Sequence, residues 1–155
     1  VRHARPGPSA LIARSDFVGV SRDDLDGDVH LDALCRLMRP GALLALTQGE
    51  EGGLVMVASR DGAMAMRRYP AIESAGIVDP TGAGDVFLAA LLAAHAEPRL
   101  VGGRLARGFD LLLAAAVASL VLEAPGLHGV PDRMAVRRRL AEGAARAAAR
   151  TDPSG

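Results

Sequence analysis

The stretch VDPTGAGD, Val78 to Asp85, stands immediately before an apolar run and combines two features that oppose each other. Its residues Gly82-Ala83-Gly84 carry almost no side chain, so an anion could approach the main-chain N–H groups at the start of a following helix. The stretch then ends in Asp85, whose carboxylate would repel that anion. The two features agree if an acid beside a bound phosphoryl group takes the proton from a hydroxyl that attacks the phosphorus.

The glycine turn by itself is a weak signal, because similar turns occur in many folds. No third glycine follows at the spacing of a dinucleotide fingerprint, which disfavours a Rossmann NAD site. Spacing alone leaves two interpretations open for the acid. Either Asp85 is a general base, or it and Thr81 are residues that merely cap the helix.

Composition excludes several other classes of function. The 155 residues are enough for one domain with a buried core, and the formal net charge of zero gives no reason to expect nucleic acid or an anionic membrane as a partner. All 18 basic residues are arginine. Without lysine, the chain has no Walker-A phosphate loop, no protein-kinase strand lysine and no Schiff-base lysine.

The single cysteine, Cys35, cannot form an internal disulfide and predicts a reducing, cytoplasmic setting. The first residues contain charge and proline but no apolar segment of the kind that a signal peptide has. The longest apolar runs, 86–94 and 111–122, are shorter than the roughly 20 residues that a membrane-spanning helix needs. We therefore expect a soluble protein with no membrane partner.

Hydrophobic patterning predicts an α/β layered domain with a mixed sheet. The Asp-Gly pair at residues 61–62 is typical of a hairpin turn between two strands. Strands are predicted at 17–20, 42–47, 54–59, 63–68 and 77–78. Helices are predicted at 31–38, 86–96, 104–122 and 132–149. A flexible lead-in is expected at 1–8, and a disordered tail at 151–155.

Two motifs in this sequence resemble those of the PfkB/ribokinase family of carbohydrate kinases. The family's C-terminal signature, D-x-x-G-A-G-D before an apolar helix, is matched here by Asp79, Gly82, Ala83, Gly84 and Asp85. The segment TQGEEGG, Thr47 to Gly53, resembles the family's T-x-G-x-x-G loop and lies, as in the family, between a strand and a hairpin. The resemblance extends over residues 10 to 140.

This resemblance implies a ribokinase-like three-layer α/β/α sheet. It also implies ATP-dependent phosphoryl transfer to a hydroxyl of a carbohydrate or nucleoside. Asp85 would be the general base that activates that hydroxyl. The anion hole for the transferred phosphoryl group would be formed by Gly82, Ala83 and Gly84.

The same resemblance implies where cofactors would bind. The nucleotide would contact Thr47, Gly49, Gly52 and Gly126. Mg²⁺ would accompany ATP, since phosphoryl transfer depends on positioning and charge neutralisation. Asp79 and Thr81 occupy positions that hold a monovalent cation such as K⁺ in some relatives.

The chain departs from the family in one motif and in its length. Where many relatives carry N-x-x-E, this sequence has Ser21-Arg22-Asp23-Asp24. Asp24 could hold magnesium-bound water, or Ser21 could simply cap a helical turn. Family members are also much longer, because a first half supplies the lid and most of the acceptor pocket. Residues 9–150 are therefore expected to be the C-terminal, nucleotide-binding part of such a kinase.

Two functions stay open from the sequence. One is a sugar or nucleoside kinase that is completed by a separate N-terminal half or by a homodimer. The alternative is a non-catalytic remnant that binds a nucleotide or a partner.

Overall fold

Four apolar runs before residue 70 pair into one sheet in the computed structural model. The structure describes residues 9–25, 28–59, 61, 63–96 and 109–151. The chain divides into two units, Val1–Tyr69 and Pro70–Gly155, and this sheet belongs to the first. The lead-in predicted at 1–8 and residues 152–155 of the predicted tail lie outside the described residues.

The sheet is mixed, as predicted. Its strands, in spatial order, are β1 (Phe17–Ser21), β2 (Leu43–Thr47), β3 (Gly53–Ala58) and β4 (Met64–Tyr69). β1 runs parallel to β2, whereas β2, β3 and β4 are antiparallel to one another. The two central strands are buried along most of their length, which explains why their sequences are continuously apolar instead of alternating.

In the described part of the first unit, two α-helices accompany this sheet, α1 (Ser9–Ile12) and α2 (Asp28–Leu37). α2 begins three residues before the predicted start. Half-buried residues of α2, Leu31, Leu34 and Cys35, pack against a cluster of buried side chains from the central strands. Pro40-Gly41 ends this helical segment and returns the chain to the sheet, and Gly41 adopts a φ of 85° that favours glycine. The first unit therefore has a helix-covered apolar face.

Gly53, the first residue of β3, lies where there is no room for a side chain. It lies opposite Thr47 on β2 and opposite Tyr69 on β4. The buried Tyr69 hydroxyl donates a hydrogen bond of 3.4 Å to the Leu46 carbonyl, and burial raises the pKa of this hydroxyl. A Cβ at position 53 would overlap both the Leu46 carbonyl oxygen and the Tyr69 hydroxyl. Glycine is therefore required here by space.

We expect Gly53→Ala to lower the free energy of unfolding by about 1–3 kcal/mol, because the inserted methyl group must displace a main-chain carbonyl. Gly143→Ala is the matched control, since Gly143 lies within a helix and a Cβ there meets nothing within 4 Å. That control should stabilise the chain by about 0.5–1 kcal/mol. Urea unfolding of both variants checks the pair. Equal effects would contradict the steric explanation.

The described residues of the second unit form three α-helices, α3 (Ala83–Ala96), α4 (Phe109–Val121) and α5 (Arg133–Thr151). α4 packs against both α3 and α5. Its buried positions include small residues, Ala114 and Ala116, which are fully covered and allow close helix packing. Phe87 and Leu91 supply the large buried side chains of α3. None of the described helices has the length and apolar character needed to span a bilayer.

A buried arginine connects the second unit's helices to the segment that precedes α3. The Arg139 guanidinium donates hydrogen bonds to the Glu73 carbonyl at 3.0 Å, to Ser119 Oγ at 3.1 Å and to Glu123 Oε1 at 2.5 Å. Glu123 also accepts from the Ala75 N–H at 2.7 Å. Partial burial opposes ionisation of Glu123, but these hydrogen bonds and the Arg139 charge outweigh it and lower the pKa of Glu123.

The structure contradicts the strand predicted at Ile77-Val78. The N–H groups of Val78 and Asp79 both donate to the Leu122 carbonyl, at 2.7 and 3.2 Å, so this segment pairs with the end of a helix instead of with a strand. Ile77 and Val78 are 59% and 64% exposed. The apolar, β-branched sequence was therefore a misleading signal in this segment.

The helix boundaries also differ from the predicted ones. α3 begins at Ala83 instead of residue 86, so Gly84 and Asp85 lie in its first turn. α4 is described from Phe109 to Val121, and residues 97–108, which include the predicted start of that helix, lie outside the described residues. α5 continues to Thr151, the first residue of the predicted tail.

Candidate functional site

The glycine turn places open main-chain donors at the start of α3. Gly82 precedes the helix with a φ of 82°, a conformation that L side chains rarely adopt, and its carbonyl accepts from the Val86 N–H at 2.9 Å. Within the described residues, the N–H groups of Gly82, Gly84 and Asp85 make no hydrogen bond to another main-chain group. The third residue of the predicted anion hole, Ala83, differs, because its N–H donates to the Pro80 carbonyl at 3.4 Å. Gly84 is exposed. The turn therefore has the geometry to accept an anion.

Asp85 lies at the third position of α3, and its side chain is exposed. Its carboxylate has no hydrogen-bond or ion-pair partner among the described residues, and in particular it accepts no N–H as a capping residue would. Asp132 differs from Asp85, because its carboxylate accepts the Ala135 N–H at 2.8 Å and caps α5. Helix capping therefore does not account for the side chain of Asp85.

Asp79 connects the glycine turn to a loop that is distant in sequence. Its Oδ1 atom accepts the Thr81 N–H at 2.9 Å, and its Oδ2 atom accepts the Gly126 N–H at 3.2 Å. Gly126 begins a short 3-10 turn, Gly126–Gly129, with a φ of 53°. The structure thus brings together three residues that the sequence placed in different sites, two at the cation position and one at the nucleotide position.

The N–H and hydroxyl groups of Thr81 and the N–H of Gly126 donate to the Asp79 carboxylate, and they hold its pKa below the ordinary value of an aspartate. Because this pKa is lower in the folded chain than in the unfolded one, the ionised carboxylate stabilises the fold at neutral pH. That contribution is lost as the pH falls through the folded-state pKa.

We expect Asp79→Asn to be less stable than the parent chain at pH 7 and the difference to shrink below about pH 4, where the parent carboxylate becomes protonated. The amide proton of Gly126 should also exchange faster in the variant, since an asparagine side chain has only one acceptor oxygen. Thermal unfolding at several pH values and hydrogen exchange measure the two effects. A stability difference that does not change with pH would count against this role of Asp79.

The first unit carries its candidate residues at the carboxyl ends of β1 and β2. Ser21 and Thr47 end these parallel strands and are register partners, and the Thr47 hydroxyl donates to the Val20 carbonyl at 3.5 Å. Ligands of open α/β sheets bind beyond the carboxyl ends of parallel strands. Ser21 and Thr47 therefore lie at the edge of the sheet where a ligand site is expected.

The glycines of the T-x-G-x-x-G segment are required by backbone conformation. Gly49 begins a 3-10 turn, Gly49–Glu51, with a φ of 56°, and Gly52 ends it with φ and ψ of 83° and −112°. A side chain at Gly52 would be strained, because this region of backbone space is almost exclusive to glycine. The main chain closes the turn through hydrogen bonds from Gln48 N–H to the Gly52 carbonyl at 2.8 Å and from Gly52 N–H to the Gly49 carbonyl at 3.1 Å.

The structure shows Ser21 as the cap of a helical turn, the alternative that the sequence left open. Ser21 Oγ accepts the Asp23 N–H at 3.4 Å and caps the 3-10 turn Arg22–Asp24, which places Asp24 in an exposed position. Within the described part of the chain, no three His, Cys, Asp or Glu side chains lie close enough together to hold a metal ion. A magnesium role for Asp24 stays a prediction, and it would need phosphate oxygens and water as further ligands.

Sequence reasoning missed two features of these surfaces. Arg22 lies beside Thr47 at the sheet edge and forms an ion pair with Glu51 at 3.5 Å. Arg139 is buried, although it stands among other arginines in the last helix. Arg22 could have been found from the sequence, because it stands just after a predicted strand. Nothing in the local pattern distinguishes Arg139 from Arg138.

Comparison with known proteins gives a family match and a set of similar folds. The model of the pfkB family carbohydrate kinases matches residues 10–133. No curated protein matches the sequence. Among solved structures, a nucleoside kinase from Methanocaldococcus jannaschii, described as an archaeal member of the ribokinase family, is 26% identical with a TM-score of 0.64 over 85% of this chain and 42% of its own.

Two further structures share the fold. Arabidopsis thaliana ribokinase, solved with ribose and ATP, is 24% identical with a TM-score of 0.67 over 86% of this chain and 43% of its own. An E. coli protein of the ribokinase type, solved with ATP and Mg²⁺, is 20% identical with a TM-score of 0.60 over 86% of this chain and 42% of its own. These likenesses confirm the ribokinase-like α/β fold in truncated form, and the chain spans less than half the length of the structures that it matches.

Proposed function

The chain belongs to the pfkB family of carbohydrate kinases, and from this membership we propose that it is the C-terminal, nucleotide-binding part of an ATP-dependent kinase. The acceptor would be a hydroxyl group of a sugar or nucleoside, the substrate classes named for its structural relatives. The motifs matched in the sequence, at residues 47–53 and 79–85, fall within the part of the chain that the family model covers.

One observation carries this proposal: an exposed carboxylate without a partner among the described residues stands directly after a turn of open main-chain donors. The N–H groups of Gly82, Gly84 and Asp85 would stabilise negative charge on the phosphoryl group during transfer. Asp85 would take the proton of the acceptor hydroxyl. The hydroxyl oxygen would form its bond to phosphorus as the bond to the leaving diphosphate breaks. The main-chain donors would then act on the transferred phosphoryl group, and Asp85 would act on the hydroxyl that attacks it.

We also propose that this part of the kinase binds a nucleotide with its magnesium ion. ATP and Mg²⁺ are bound by structural relatives of this chain. Here Thr47, Gly49, Gly52 and Gly126 would contact the nucleotide. An exposed carboxylate such as Asp24 suits Mg²⁺, which binds one or two carboxylates together with phosphates and keeps several waters.

A monovalent cation would lie near Asp79 and Thr81. Both Asp79 oxygens already accept an N–H, and each retains further capacity to accept. The charge of such an ion would lie at the glycine turn, where it would favour an anion.

An open edge of the described sheet favours a second candidate, a non-catalytic remnant that binds a nucleotide or a partner. β1 pairs with β2 along one edge, and no described strand pairs with its other edge. An unpaired strand edge is a site for adding another strand. A complementing N-terminal half or a second copy of the chain would fill this edge in the kinase, whereas in the remnant it would remain open or bind a different partner.

A phosphoryl-transfer assay separates the two candidates. The chain, alone and joined to any segment encoded in frame upstream of Val1, is incubated with ATP, Mg²⁺ and a panel of ribose, fructose phosphates, inositol and nucleosides. Product formation that requires an acceptor supports the kinase. ATP binding without turnover by the completed protein, with every acceptor of the panel, supports the remnant. Absence of ATP binding by the completed protein removes the kinase and the nucleotide-binding remnant, and leaves only a remnant that binds a partner.

A further inference from the structure

A small depression at the carboxyl ends of β1 and β2 contains a side chain with no assigned role, Arg22. The depression has a volume of about 190 Å³. Its lining includes the last residue of β1, Ser21, with Arg22 directly after it, and the last residue of β2, Thr47, with Gln48 and Gly49 after it. Arginine binds phosphate and carboxylate groups through paired N–H donors, so this position offers a cation to an anionic ligand.

The size of the depression limits what it can accept. Pockets that enclose a whole drug-sized ligand have volumes of roughly 300–1,000 Å³. The smaller space here suits one compact charged group, and its polar lining offers hydroxyl, amide and guanidinium donors in place of an apolar surface for a base. The chemistry therefore matches a phosphate group of the nucleotide better than its adenine ring.

The present partner of Arg22 is weakly held. Its Nη1 atom lies 3.5 Å from Glu51 Oε2, and the two side chains are 61% and 73% exposed. Exposed ion pairs of this kind contribute little to stability, so a phosphate can compete for the guanidinium. Glu51 and Asp23 also line the depression, and their charges oppose an incoming anion. Glu51 therefore has two unfavourable effects on such binding, since it occupies Arg22 and repels the ligand.

We infer that Arg22 binds a phosphate group of the nucleotide, and that the Arg22–Glu51 ion pair opens when the nucleotide binds. This inference rests on the proposed nucleotide-binding function and adds a residue and a mode of regulation to it. Its consequence is specific: removing Arg22 must lower the affinity for the nucleotide, whereas removing Glu51 must raise it. A pair that only supports the structure would give changes in one direction.

The test measures the affinity of the chain for ATP and for adenosine by calorimetry, in the parent and in three variants. Arg22→Gln should weaken ATP binding about tenfold, the effect of losing a charge-assisted hydrogen bond. Glu51→Gln should strengthen it about threefold. Neither should change adenosine binding, because adenosine has no phosphate. Arg36→Gln is the matched control, since Arg36 is also exposed and paired with an acid, at 4.0 Å, on α2.

Opposite shifts for ATP with no shift for adenosine support the inference, and 1 M salt, where the Debye length is about 3 Å, should reduce both shifts. Equal affinities in all variants, or shifts in the same direction, overturn it while the nucleotide-binding function stands. If the parent chain binds no ATP, the proposed function fails and the inference fails with it. Circular dichroism of each variant confirms that the fold is unchanged.

Discussion

Asp85→Asn is expected to reduce the turnover number of the kinase by about 10²- to 10⁴-fold, the usual contribution of a general base. The amide side chain keeps the size and polarity of the carboxylate, but it cannot take a proton from the acceptor hydroxyl. Affinity for ATP should be unchanged or higher, because a negative charge beside the proposed phosphoryl site at the glycine turn is removed. Steady-state kinetics of the completed protein, with calorimetry of ATP binding, measure the two quantities separately.

Asp132→Asn is the matched control for this experiment. Asp132 also stands at a helix start, but its carboxylate caps α5 through the Ala135 N–H, and asparagine caps a helix about as well as aspartate. We therefore expect this variant to keep both turnover and stability. If Asp85→Asn instead lowers stability and leaves turnover near that of the parent, Asp85 is a structural residue and the proposed mechanism is wrong.

Arg139→Met is expected to have the largest effect on stability, a loss of about 3 kcal/mol in the free energy of unfolding. Methionine fills much of the space of the arginine side chain, so the loss comes from the polar groups that remain. Glu123 would lose its charged partner, and the Glu73 carbonyl and the Ser119 hydroxyl would lose a donor. The side chain of Arg139 is only 10% exposed, so water cannot replace these contacts fully.

The neighbouring arginine provides the control. Arg138 is 75% exposed, and its ion pair with Glu142, at 3.9 Å, is of the kind that contributes little. Arg138→Met should therefore change stability by less than about 0.5 kcal/mol. Guanidinium unfolding of the two variants, compared at matched ionic strength, provides the measurement. Similar losses in both would mean that the buried network does not contribute more than a surface ion pair.

Features set by neighbouring residues could be predicted from the sequence. The glycine turn at 82–84 needs a positive φ at one position, and the hairpin needs a tight turn near Asp61, where Asp61 Oδ1 accepts the Ala63 N–H at 3.1 Å. The continuous apolar runs of β2 and β3 reflect burial on both faces. Each of these signals depends on residues a few positions apart, so a single sequence contains it.

Features that join distant segments could not be predicted. Ile77-Val78 has the composition of a strand, yet its N–H partner is the carbonyl at the end of α4. Arg139 has the same chemistry as its two arginine neighbours, but tertiary packing buries it beside Glu123, which is distant in sequence. The bond between Asp79 and Gly126 joins residues 47 positions apart. Local patterns cannot reveal such pairs, because the partner is selected by tertiary packing.

The bond between Asp79 and Gly126 also predicts how the two positions would drift during evolution. Asp79 contributes a side chain, so almost any replacement removes the link. Gly126 contributes only its main-chain N–H, and glycine, asparagine or aspartate would each tolerate its φ of 53°. Homologous sequences should therefore hold the acid nearly invariant while accepting a small set of residues at the donor position, an asymmetry that mutational scanning in a growth selection would reveal.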